Sequence, residues 1–201
     1  MKKDFLRFGD ETARFRMVLL HGWGADATDL IPLGQEIVDT LEHSFELVAL
    51  QAPQARSEGG GRQWYDLFPP DWGAVPSAIN DLKVRIRALE TKDISLKATI
   101  LLGFSQGGAM AVSVGSELSL GGIIACSSYP HPGWMMKNER PKVLLTHGTK
   151  DEVVPCEASK LLLNEFQKTK EYSNLFLFDG GHEIPRQALR EITSVLGQWL
   201  V

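Results

Sequence analysis

The sequence predicts a three-layer α/β fold in which a mostly parallel central sheet is flanked by helices on both faces, and three observations carry that prediction. Short apolar runs rich in Val, Ile, Leu and Phe recur along the chain, and a strand covered on both faces must be apolar at nearly every position. Stretches with apolar residues three and four apart, the stripe of an amphipathic helix, lie between several of them. The two kinds of segment alternate, and a strand joined through a helix to the next strand makes a right-handed parallel crossover. Ligands of such sheets sit beyond the carboxyl ends of the strands, which directs attention to the loops there.

In chain order, "FRMVLL" (15–20) reads as the first strand, and "HGWGAD" as the loop after it. A helix is predicted over 29–41, then a strand at "FELVAL" (45–50). The following segment, "RSEGGGRQWYDLFPPDW" (56–72), breaks both the helical and the strand period and reads as a long loop. A helix over 78–90 leads to the strand "ATILLG" (98–103), a tight turn, and a helix of small residues, "GGAMAVSVG". Strands follow at "GGIIAC" (121–126), "KVLLTH" (142–147) and "NLFLF" (174–178). The chain closes with a helix over 187–200, where Leu189, Ile192, Leu196 and Trp199 share one face. At 201 residues, 43% of them hydrophobic, one domain over 1–201 is expected.

The net charge of −4 and the scattered basic residues argue against a nucleic-acid partner. No run approaches the length of a membrane span, and the stretch containing Lys2 and Lys3 has no apolar core of a leader, so a cytoplasmic protein without integral membrane association is expected. Cys126 and Cys156 are too few for a disulfide framework and read as reduced thiols. No cofactor and no metal are expected, since no carboxylate cluster stands at ligand spacing beside the histidines.

The chemistry lies at the strand ends. After "ATILLG" comes Gly103-x-Ser105-x-Gly107, flanked by a strand before and a helix after, the setting of a nucleophile elbow. A glycine-rich phosphate loop is the alternative for such a turn, but neither Gly-Lys-Ser/Thr nor G-x-G-x-x-G is present. A serine hydroxyl needs a base, and the base needs an acid to hold its tautomer. In this arrangement the chain order is Ser, acid, His. Asp151 follows "KVLLTH" and His182 follows "NLFLF", so the order is met. Glu152 is the rival acid, and Asp179 reads as part of the turn before His182. Of the other histidines, His21 and His147 precede glycine at strand ends and read as loop-ordering groups, His43 as solvated, and His131 as bordering a pocket without an assigned role. The developing oxyanion needs two backbone donors, for which the amides of Gln106 and Trp23 are the candidates. In the long loop, Gly59 to Gly61 read as slack, and Trp64, Phe68 and Trp72 as an apolar wall beside Ser105; the competing reading is that these aromatics pin the loop to the core.

"LLHGWGAD", "LQAPQA", "QWYDL", "LLGFSQGGAMA", "THGTKDEVVP" and "GGHEIP" together resemble the phospholipase/carboxylesterase branch of the α/β-hydrolases, from about Met17 to the C-terminus. The resemblance implies an α/β-hydrolase fold with little or no lid, and a serine esterase with Ser105 as nucleophile, His182 as base, Asp151 as its orienter, and the Trp23 and Gln106 amides as oxyanion hole. It also implies that Tyr129, in the segment 126–134 that borders the acyl site in that family, belongs to the substrate pocket. That segment, "CSSYPHPGW", and the loop "GWGADATD" differ from the usual thioesterase sequences, so esters or thioesters with small to medium acyl groups are expected rather than long-chain thioesters. Two other readings fit the same residues: a lysophospholipase or acyl-protein thioesterase, and a hydrolase-shaped binding protein that has lost turnover. The residues do not specify an oligomeric state.

Overall fold

The computed structural model describes residues 4–9, 12–56, 58–137, 141–168 and 171–200; Lys2 and Lys3 of the N-terminal stretch, and Ser57 in the glycine loop, lie outside the described residues. The chain runs β1 (Phe5–Gly9), β2 (Phe15–Leu20), α1 (Ile31–Thr40), β3 (Phe45–Leu50), β4 (Gln54–Ala55), β5 (Arg62–Gln63), α2 (Val75–Arg87), β6 (Thr99–Phe104), α3 (Gln106–Gly115), β7 (Gly122–Cys126), β8 (Val143–Gly148), α4 (Glu157–Phe166), β9 (Ser173–Phe178) and α5 (Arg186–Trp199). Seven strands form one sheet in the order β1-β3-β2-β6-β7-β8-β9, and β4 with β5 makes a separate two-stranded ribbon. All neighbours in the large sheet are parallel except β1, which lies antiparallel on β3.

Alternation along the strands explains the two covered faces. Met17 and Leu19 join Leu47, Leu102, Ile192 and Leu196 in a core with the α1 and α5 side. Val18 and Leu20 point the other way, into a core with Leu101, Leu82, Met110 and Phe166 from the α2, α3 and α4 side. Helix α3 is buried along its whole length, which accounts for its small, mostly apolar sequence: a helix enclosed on every side has no polar face to present, and its polar Gln106 and Ser113 are hydrogen-bonded inside.

Three parts of the architecture were not anticipated. β1 has exposed or half-buried residues throughout; it is held by its backbone ladder to β3 and carries no buried-strand signature. α4 lies between β8 and β9, where the sequence reading assigned no element even though a parallel pair needs a crossover; its buried Leu162 and Phe166 stand four residues apart. Of the ribbon β4–β5, β5 falls inside the stretch read as a long loop (56–72) and β4 immediately before it. The 78–90 helix begins earlier, at Val75, with a proline in its first turn, a position where the missing N–H costs nothing.

The strand order places the site. From β2 the chain first goes outward to β3, then returns across the sheet to β6 on the other flank of β2. The carboxyl ends of β2 and β6 therefore open side by side at the point where the winding reverses, the usual crevice of such sheets. The pairing of Leu20 with Gly103 sets the β2 loop against the turn that holds Ser105.

Candidate active site

At the end of β6 the backbone turns sharply through Ser105, which has φ 53° and ψ −118°. A non-glycine residue there is strained by roughly 1–3 kcal/mol. The turn is held by the Ser105 amide donating to the Cys126 carbonyl at 2.9 Å. It closes only because its neighbours lack side chains: a Cβ at Gly103 would stand 2.3 Å from the Gly107 carbonyl oxygen, and one at Gly107 2.0 Å from that of Leu20. Gln106 opens α3, so its amide is one of the helix N-terminal donors without an intrahelical acceptor. The Gln106 side chain clamps the long loop, accepting from the Trp64 amide at 3.1 Å and donating to the Tyr65 carbonyl at 2.8 Å.

The β2 loop packs against this turn, with the position of a Gly22 Cβ only 3.6 Å from Ser105 Cβ. His21 shapes the loop: its Nδ1–H donates to the Gly22 carbonyl at 2.8 Å and its Nε2 accepts from the Ala52 amide at 3.1 Å. Burial lowers the pKa of this imidazole, in keeping with a neutral ring that donates at one nitrogen and accepts at the other. The Trp23 indole donates to Gln63 Oε1 at 2.9 Å and lies under the Arg56 guanidinium at 3.6 Å. The next two amides are committed, Gly24 to the Arg62 carbonyl at 2.8 Å and Ala25 to the Gly22 carbonyl at 3.3 Å.

Gly59, Gly60 and Gly61 correct the reading of slack. All three have φ between 72° and 75°, a left-handed run that shapes the turn between β4 and β5. At Gly61 a Cβ would stand 1.9 Å from the Gly24 carbonyl oxygen, so the ribbon lies directly on the β2 loop. Trp64 is also corrected. It is 1% exposed, packs in the core beside α2 and α3, and donates its indole N–H to the His21 carbonyl at 2.9 Å. Trp64 does not line the cavity at Ser105; it pins the loop, the competing reading for this aromatic.

After β8 the turn holds Asp151. Its Oδ1 accepts from the amides of Val153 at 2.9 Å and Val154 at 2.8 Å, and its Oδ2 lies 2.7 Å from His182 Nδ1. Burial raises the Asp151 carboxyl, but the Val154 amide, His182 and the Val153 amide outweigh it, and the net shift is downward. Glu152 is exposed, and Asp179 pairs with Lys150 at the surface. The His182 ring also meets Phe104 at a centroid distance of 4.8 Å.

Ser105 and His182 share one cavity of about 500 Å³ with Trp23, Phe68, Trp72 and Tyr129. Leu67 and Pro70, together with Val153, Val154, Pro155 and Ala158, complete it. The sequence reading missed these six, although Val153 to Pro155 follow the acid directly. Tyr129 is anchored from behind: its hydroxyl lies 2.7 Å from that of Tyr65, which is 2.9 Å from His131 Nε2, whose Nδ1 is 2.7 Å from Ser113 Oγ. Burial pushes Tyr129 up to about 12 and His131 down to about 4. His131 thus has a place, as the link between α3 and the cavity wall. Among the described residues, no group of three or more His, Cys, Asp or Glu side chains is arranged to hold a metal ion. Nor is any helix among them long and apolar enough to cross a membrane.

A family model described as phospholipase/carboxylesterase matches residues 5–200. Among curated proteins, acyl-protein thioesterase 1 of Saccharomyces cerevisiae is 26% identical over 167 residues, covering 72% of this chain and 74% of that protein. The protein of the same name from Yarrowia lipolytica is 25% identical over 176 residues, covering 75% and 77%. Among solved structures, esterase PE8 superposes with a TM-score of 0.86 at 31% identity, with 96% of each chain covered. The Bacillus cereus carboxylesterase reaches 0.83 at 19% identity over 97% of this chain and 93% of its own, a likeness of fold.

Proposed function

The chain belongs to the phospholipase/carboxylesterase family and is a serine esterase by that membership, and from that premise we propose that Ser105, His182 and Asp151 are its nucleophile, base and orienting acid. The observation that carries the proposal is the 2.7 Å contact between Asp151 Oδ2 and His182 Nδ1, in a cavity that His182 shares with the strained Ser105.

Ser105 Oγ attacks the acyl carbon while His182 Nε2 takes its proton. The negative charge that develops on the carbonyl oxygen is met by the amides of Gln106 and Trp23, the former at the positive end of α3. The C–O or C–S bond then breaks, and His182 returns the proton to the departing alcohol or thiol. Water, deprotonated by the same imidazole, attacks the acyl-Ser105 ester; the acyl–Oγ bond breaks, the acid leaves, and His182 returns the proton to Ser105 Oγ. Asp151 stays a carboxylate throughout: the donors that lower its pKa leave it able to stabilise imidazolium without receiving the proton.

The substrates are carboxylic esters with small to medium acyl groups. The apolar lining by Phe68, Trp72, Val153 and Val154 supports an acyl or alcohol part without charge. Thioesters are the second reading, favoured by the names of the two curated relatives. Purified protein should hydrolyse p-nitrophenyl esters between acetate and decanoate, and Ser105→Ala should lower the rate by about 10⁴-fold or more. A fluorophosphonate probe should label Ser105. No turnover of any of these esters, or an unchanged rate in Ser105→Ala, would overturn the assignment.

A further inference from the structure

We propose that His147, oriented by Ser159, is a positioning residue of the reaction that acts through Asp151. The proposal rests on the triad assignment above and adds to it a group that never touches substrate.

His147 lies in β8, four residues before Asp151, and is completely buried. It is absent from the lining of the Ser105 cavity. Its Nε2 lies 2.8 Å from the Val154 carbonyl oxygen and 3.3 Å from Asp151 Oδ2. Two acceptor oxygens facing one ring nitrogen require that nitrogen to carry the proton. In a neutral ring Nδ1 is then an acceptor, so the Ser159 hydroxyl donates its one proton there, at 2.7 Å, in preference to the Ser128 carbonyl oxygen at 3.4 Å. Ser159 comes from α4, which ties the imidazole's tautomer to the helix following the catalytic turn. Burial lowers the His147 pKa, which favours the neutral ring this arrangement needs.

The consequence falls on Asp151. Its oxygens face four donors: the Val153 and Val154 amides at Oδ1, and His182 and His147 at Oδ2. A carboxylate surrounded in this way has one orientation, which fixes where the His182 imidazole points. The contact with the Val154 carbonyl does a second thing, because Val154 is also a wall of the cavity. One buried imidazole thus sets the acid and the substrate wall together.

Among the described residues, the ionisable groups around this cluster include Asp151 and His182 themselves, Tyr129 across the cavity, the buried Cys126 on β7, Cys156, Glu157 and Lys160 around the start of α4, and Lys150, Asp179, Glu152 and Glu183 at the surface. Tyr129 is neutral at ordinary pH, since its pKa is raised, and the surface groups are screened by water. A change in the pH profile on altering His147 therefore reports on Asp151 and His182.

The test uses the full chain and p-nitrophenyl butyrate, with active sites counted by fluorophosphonate so that kcat refers to competent enzyme. His147→Gln keeps an N–H donor near the Nε2 position, whereas His147→Leu removes both donor and acceptor. In His147→Leu, kcat per site should fall about tenfold or more, while KM changes less than about threefold. The acid limb of kcat/KM should move to higher pH, because Asp151 with one donor fewer holds protonated His182 more strongly. His147→Gln should recover most of the loss, and Ser159→Ala should fall between.

A folded His147→Leu with the kcat per site and the acid limb of the parent protein would overturn the proposal and leave a purely packing role. If His147→Leu does not fold, Ser159→Ala decides, and parent-like kcat and acid limb in that variant overturn it equally. A parent protein that hydrolyses no ester is a different failure, that of the triad assignment itself.

Discussion

Ser105 and His131 show how much a single residue can carry. Ser105 holds an unfavourable backbone conformation because β6, α3 and the glycines beside them leave the chain no other path, and the strain presents its hydroxyl at the cavity. His131 determines a pH dependence of stability. Its folded pKa is pushed down to about 4 by burial, below the ordinary histidine value of about 6.5. The native state therefore keeps it neutral in a range where the unfolded chain binds a proton. Stability is unaffected above about pH 6.5 and falls as pH drops from there to 4, by an amount on the order of 3 kcal/mol from this residue. Burial lowers His21 and His147 in the same direction. Urea midpoints measured from pH 8 to 4 should decline steeply in the parent protein and less steeply in His131→Gln; identical slopes would contradict this account. The residue types of the proposed triad were legible because their order along the chain follows strand order. The place of His131 was not, since its partners Ser113 and Tyr65 are 18 and 66 residues away.

Among the elements, the long loop after β3 departs furthest from its sequence reading. Its composition suggested slack and an aromatic wall; Phe68 and Trp72 do line the cavity, whereas the glycines turn a short ribbon against the β2 loop and Trp64 points inward. Two adjacent glycines test this. Gly61→Ala places a methyl group against the Gly24 carbonyl, while Gly60→Ala meets nothing within 4 Å. Both incur the left-handed backbone penalty of roughly 1–2 kcal/mol. Gly61→Ala should destabilise by about 3 kcal/mol or more in total and should lower kcat as well, because the displaced segment adjoins Trp23. Thermal unfolding and p-nitrophenyl ester kinetics on the pair measure the difference, and equal losses would show that the close approach does not matter. β1 and α4 were illegible for different reasons. β1 relies on backbone pairing that leaves no side-chain pattern. α4 did leave an amphipathic pattern, with Leu162 and Phe166 inward, which a strict demand for a crossover between parallel strands would have found.

For the molecule as a whole, the reversal of winding between β2 and β6 creates the crevice, and segments that follow β2, β3, β6, β7, β8 and β9 converge on it. The cavity they enclose sets a size limit on the apolar part of the substrate. Each buried methylene contributes about 0.8 kcal/mol, roughly fourfold, so kcat/KM should climb with acyl length until the cavity of about 500 Å³ is filled and then level off. Trp72→Ala, which removes a half-exposed wall, should move that plateau to longer chains with little loss of stability. Trp64→Ala should do the reverse, at a cost of about 3–5 kcal/mol from a filled core position and with chain-length preference unchanged in the folded fraction. A shift of preference in Trp64→Ala alone would contradict this division. The sequence by itself determined the layer architecture, the tight strand-to-helix turn at Ser105 and the placing of Ser105, Asp151 and His182 at strand ends, because buried strands, close-packed turns and strand-end loops each demand particular residue types locally. Only the tertiary structure decided which aromatics face the cavity, that three glycines in a row are tightly constrained, and that His147 contacts Asp151. Those outcomes depend on distances between segments far apart in the chain, and periodicity carries no record of them.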